Sequence, residues 1–154
     1  MSPEGSTVSF RPVPQHFGTR PIERFARKLE TEITRGRPFE CLITTDAELR
    51  RLNRNYRGQD SVTDVLSFPS PPVPLDRGVT RPLGSIAISL PRARAQAREF
   101  GHKTEQEIQI LMLHGVLHLL GMDHETDAGR MARAEKRWRA RLGLPSSLIE
   151  RVQS

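Results

Sequence analysis

The chain has 154 residues, enough for one domain around one hydrophobic core and too short for two of ordinary size. Its single cysteine, Cys41, excludes an intramolecular disulfide and fits a reducing compartment. A net charge of +6, with 21 of the 24 basic side chains arginine, favours polyanionic partners through counterion release and two-point phosphate contacts. A GC-rich genome is an alternative source of the arginine-to-lysine ratio, but it does not account for the net charge.

The opening MSPEGSTVSF lacks a basic region followed by an apolar run, and the richest apolar stretch is broken by Gln109, His114 and His118. The expectation is a soluble, cytoplasmic protein without a membrane span. Pro21 at a first-turn position, the spacing Ile22, Phe25, Leu29, Ile33, and Gly36 past the last turn predict a helix from about 20 to 35. FECLITT, residues 39–45, reads as a buried strand. Thr45 with Glu48 forms a capping box for a helix with Leu49, Leu52 and Tyr56 inward and Arg50, Arg54 and Arg57 opposite.

DVLSFP is a short strand closed by Pro69, followed by a proline-rich loop to residue 82 that is either a plain surface loop or a lid. LGSIAIS, residues 83–89, is the next strand, and Pro91 opens a helix to Phe100. Thr104 with Glu107 predicts a capping box for the helix that carries the histidines. Asp127 is read as the cap of a last helix reaching about Leu142. The expected fold is one α+β domain over residues 1–154, a mixed, mostly four-stranded sheet with about five helices.

The chemistry concentrates in HGVLHLLGMDH. His114 and His118 stand four apart and so share one side of a helix, one turn above the other. Gly121 can end that helix in a left-handed conformation and turn the chain so that His124 supplies a third imidazole. Three neutral imidazoles suit zinc, with nickel, cobalt or iron as alternatives, and leave one coordination position open. His16 and His102 fall outside the pattern and read as surface residues.

The pattern matches H-E-x-x-H-x-x-G-x-x-H at all three histidines and at the glycine, but Gly115 stands where such peptidases carry the general base. Peptide hydrolysis by that route loses its proton acceptor, whereas metal-assisted cleavage of a phosphodiester stays open. Asp123, Glu125 and Asp127 lie close enough in sequence to orient a ligand or serve as base.

HGVLHLLGMDH, LNRNYRGQDSVTDVLSFP and LGSIAIS together resemble the YbeY family of metal-dependent endoribonucleases over roughly residues 40 to 142. The resemblance implies a mixed-sheet α+β fold with one metal, usually zinc, in a basic cleft on His114, His118 and His124. It implies catalytic roles for His114 and Arg57, and single-stranded ribosomal RNA as substrate in 16S 3′ end maturation and ribosome quality control. The implied partners are the small ribosomal subunit and ribosomal or GTPase proteins. Two positions depart from the family pattern, Ser85 where aspartate is common and Val62 where proline is.

From spacing alone Arg57 is a solvated helix-end arginine or a clamp on the scissile phosphate, and the resemblance selects the clamp. Asp60, Thr63 and Asp64 are turn residues or a patch that orders Arg57. Arg130, Arg133, Arg137 and Arg141 form a stripe that is either a solvated face or a track for an RNA backbone. Two further readings compete with the nuclease: a metallopeptidase with Glu125 as base, and a non-catalytic ribosome-assembly factor with a structural metal.

Overall fold

A computed structural model of the chain describes residues 5–15, 18–71, 76, 78–123 and 126–145. In chain order the elements are β1 (Thr7–Phe10), α1 (Arg20–Glu32), β2 (Phe39–Thr44), α2 (Asp46–Arg57) and β3 (Val65–Pro69). They continue with β4 (Gly84–Ser89), α3 (Leu90–Phe100), α4 (Thr104–Leu119) and α5 (Arg130–Arg141). The sheet order is β1-β2-β4-β3, with β1, β2 and β4 parallel and β3 antiparallel to β4. This is the expected mixed four-stranded sheet with five helices among the described residues, but β1 was not foreseen. Its TVSF is short and polar on one side, and it becomes a strand only by pairing with Glu40–Ile43.

Side chains alternate across the sheet, so each strand faces two layers. Phe39, Cys41, Ile43, Ile86 and Ile88 point into the main core with Ile22, Phe25 and Leu29 of α1 and the apolar positions of α4. On the other face Leu66 and Ala87 pack with Leu49, and Leu52 and Phe68 lean on that smaller cluster. Thus α1 and α4 cover one face and α2 covers part of the other.

α4 lies inside the molecule. Every residue from Ile110 to Leu117 is buried, as expected of a helix that is apolar all round. Removing each of its leucines and isoleucines from water contributes about 1.5–3 kcal/mol, which holds a helix carrying two histidines and a glutamate in the interior.

The local signals succeed where the chain itself satisfies them. Thr45 Oγ1 accepts from the Glu48 backbone N–H at 3.2 Å, and Glu48 then pairs with Arg51. Ser89 caps α3 by accepting from Arg92 N–H at 3.1 Å. The box at Thr104 is displaced by one residue: Lys103 precedes the helix and its N–H donates to Gln106 Oε1 at 3.0 Å, while Glu107 turns inward. α1 stops at Glu32, three residues early, because Arg35 and Gly36 take positive φ and the Gly36 N–H returns to Glu30 O.

Candidate metal centre

His114 and His118 project from the same side of α4, their ring centroids 4.8 Å apart and their planes at 72°. His114 is 8 % exposed, and its Nδ1 lies 2.8 Å from Oε2 of Glu135, which is fully buried on α5. A carboxylate accepts, so Nδ1–H of His114 donates to Glu135. This is the arrangement by which a buried carboxylate fixes the tautomer and orientation of a metal-binding imidazole.

Sequence reasoning missed Glu135. A signal was present: Met131, Ala134 and Trp138 form the inward stripe of α5, and Glu135 stands within that stripe as a charged residue in a core position.

The end of α4 follows the glycine as expected. Gly121 has φ 91°, its N–H donates to His118 O at 2.9 Å, and the Met122 N–H donates to Leu117 O at 3.2 Å. These two bonds reverse the chain after the second histidine. Asp127 Oδ2 accepts from the Asp123 and Met131 N–H groups at 3.1 and 3.0 Å, so it closes the turn and ties it to the first turn of α5, although the cap position itself falls on Gly129 and not on Asp127 as expected. His124 and Glu125 lie outside the described residues, as does His16. Among the described residues no three His, Cys, Asp or Glu side chains are grouped to hold a metal ion, so His114 and His118 stand as two members of the expected set.

The position of Gly115 explains the absent glutamate. A Cβ there would lie 3.0 Å from both Cδ1 and Cγ2 of Ile86, and the Gly115 carbonyl accepts from Ser67 Oγ at 3.2 Å. Residue 115 therefore faces the sheet, where a carboxylate has neither room nor access to a substrate. The donors fit a late first-row ion: one imidazole is oriented by a buried carboxylate, a second lies one turn away, and a third follows in sequence.

Four residues read from the sequence fall elsewhere. Arg57 ends α2, exposed and without an ion pair among the described residues, on the sheet face opposite α4. Asp60 does not order it, because Asp60 accepts two bonds from Arg50 at 2.7 and 3.2 Å, which hold its carboxyl below the usual range. Asp64 accepts from Gln96 at 3.1 Å, a structural role. Ser85 follows Gly84 and precedes Ile86, so it too faces away from α4, and the departure at this position does not touch the histidines.

His102 is not a surface residue: its side chain is 7 % exposed and its Nε2 lies 2.6 Å from Oε1 of the buried Glu107. Cys41 is no nucleophile, since complete burial pushes its thiol up to about 12. The four arginines of α5 are exposed as a stripe, with Arg141 over the Trp138 ring at 5.3 Å and Arg133 donating to Ala128 O at 3.2 Å. A groove of about 730 Å³ opens on the α2 side of the sheet, lined by residues that include Tyr56, Phe68, Ser85 and Glu40.

A basic α+β domain whose central helix carries two histidines one turn apart, the first buried and held by a carboxylate, belongs to a class of RNA-cleaving hydrolases, because residues 18–143 match the family model described as Endoribonuclease YbeY. The chain belongs to the YbeY family. A relative named Endoribonuclease YbeY from Solibacter usitatus is 65 % identical over 153 residues, covering 99 % of each chain. One of the same name from Nautilia profundicola is 50 % identical over 113 residues, 73 % of this chain and 78 % of its own. A solution structure from Thermotoga maritima superposes with a TM-score of 0.55 at 28 % identity, covering 86 % of this chain and 85 % of that one. The chain is an endoribonuclease, and the peptidase and assembly-factor readings are not favoured.

Proposed function

We propose that this endoribonuclease is metal-dependent and specific for single-stranded RNA, and that it processes ribosomal RNA at the 3′ end of the 16S molecule and in quality control of defective ribosomes. The observation that carries the metal dependence is the 2.8 Å contact between His114 Nδ1 and the buried Glu135, which fixes the His114 ring beside that of His118. His114, His118 and His124 are the three ligands of one Zn²⁺, with Ni, Co or Fe able to replace it according to availability. When bound, the ion supplies a Lewis acid for a phosphoryl oxygen.

The chain's own residues do the rest. Glu135 holds the proton on Nδ1 of His114 and fixes the ring's orientation. Gly115 gives the helix its close approach to β4 and takes no proton. Arg57, exposed and without an ionic partner among the described residues, grips the RNA at a phosphate. The partners are the small ribosomal subunit, which presents the strand, and ribosomal or GTPase proteins, in the cytoplasm. No helix of the described residues is long and apolar enough to cross a membrane.

The test is metal analysis joined to RNA cleavage for the wild type and His114→Ala. Loss of bound metal and of cleavage together is the expected result. A metal-free His114→Ala protein that cleaves at the wild-type rate overturns the proposal.

A further inference from the structure

Tyr56 has no role in the chemistry above, yet it is 70 % exposed in the last turn of α2. Leaving a tyrosine ring in water forgoes its burial, and the ring is held in place: Phe68 meets it edge-on, centroids 5.4 Å apart. The pair forms one wall of the 730 Å³ groove, a volume within the range of about 300–1,000 Å³ typical of small-ligand sites. Leu52 and Phe68 supply apolar surface, and Ser85 and Glu40, which are paired across β2 and β4, supply polar groups.

We infer that this groove takes a splayed-out base of the single-stranded RNA substrate, stacked on Tyr56, while a neighbouring phosphate lies on Arg57. The charge distribution decides for this occupant. Arg57, the next residue after Tyr56, is exposed without an ion pair among the described residues, whereas Arg54 pairs with Asp60 at 4.0 Å. An exposed cation beside the stacking ring suits a polyanion. The groove itself is lined by an apolar wall, the Glu40 carboxylate and the Arg11 guanidinium, which suit the flat face, the amino groups and the carbonyl groups of a base.

The groove and the histidines lie on opposite faces of the sheet, so the same strand reaches both by passing a sheet edge. β3, which carries Phe68 on one face and contacts α4 through Ser67 on the other, is that edge. The base that stacks on Tyr56 is therefore not one that flanks the cleaved bond. Selection of single strands follows, because a paired base cannot leave its stack without an unpairing cost.

This inference rests on the RNA-cleaving function, and its test is independent of the metal. Binding of a fluorescent 2′-O-methyl single strand is measured by anisotropy in EDTA, where no cleavage occurs, for the wild type, Tyr56→Ala and Tyr56→Phe. Tyr56→Ala is expected to weaken binding by about 5- to 100-fold, the range set by one base–aromatic stack, and Tyr56→Phe to restore it. An abasic nucleotide walked along the strand is expected to weaken wild-type binding at one position and to have no further effect there in Tyr56→Ala. A duplex of the same length is expected to bind both proteins alike. Undiminished single-strand affinity in Tyr56→Ala, or equal weakening by Phe and Ala at an unchanged melting temperature, overturns the inference. So does loss of ribosomal-protein binding with RNA affinity intact, which would make the groove a protein-docking surface.

Discussion

Restoring the absent peptidase glutamate, Gly115→Glu, is expected to damage the fold and create no activity, and Gly115→Ala isolates the reason. Replacing glycine by alanine inside a helix normally stabilises by about 1 kcal/mol. Here the new Cβ meets Cδ1 and Cγ2 of Ile86 at 3.0 Å and Cγ1 at 3.2 Å, and Ile86 is 1 % exposed within the main core. Overpacking of this kind costs about 1–3 kcal/mol, so Gly115→Ala should lie between neutral and about 2 kcal/mol less stable than the wild type. Glutamate adds a buried carboxylate with an effective penalty of several kcal/mol, which approaches the whole stability of a domain at about 5–15 kcal/mol. Urea unfolding of both variants in EDTA, where bound metal cannot contribute, measures the difference. A Gly115→Ala protein more stable by about 1 kcal/mol, or a folded Gly115→Glu protein that cleaves peptides, would refute the claim that residue 115 faces the sheet.

Glu135→Gln keeps the size of the side chain but removes the charge that orients His114; metal affinity should fall by about 10- to 100-fold, read by competition with a chelating dye, and unchanged affinity would deny Glu135 this role. Arg57→Lys retains the charge and loses the two-point geometry, so RNA affinity or cleavage should drop with the melting temperature unchanged, and a variant equal to wild type in both would remove Arg57 from the RNA path. Cys41 gives the alkaline limb. Its folded thiol is pushed up to about 12 from an ordinary value of 9.0, so above about pH 9 the unfolded chain ionises while the native chain does not. Stability should then decline with rising pH by about 1.4 kcal/mol per unit between those values, and Cys41→Ala should lose that slope; an identical slope in the variant would assign it to other groups.

Element types were legible because their signals are local. Thr45 and Glu48, Pro21 and Pro91, Gly121 and Asp127 mark helix ends through bonds made within a few residues, and the strands at 39–44 and 84–89 are runs of apolar and β-branched side chains. The helical spacing of His114 and His118 was fixed in the same way, because a separation of four residues has one geometric meaning on a helix. The capping box at Thr104 failed because Glu107 had a stronger use, a 2.6 Å contact with His102 in the interior, that no local rule registers.

What only the tertiary structure decided is the set of partners brought from distant segments. Glu135 reaches His114 across 21 positions of sequence because α5 packs on α4, and β1 exists because β2 offers it an edge. The sidedness of the sheet was likewise out of reach: Arg57 and His114 sit in motifs that read as one site, yet their helices cover opposite faces. Periodicity tells which side of its own element a residue occupies. Which face of the sheet receives that element is set by connections and packing, and so the path of an RNA between Tyr56, Arg57 and the histidines is a property of the assembled fold.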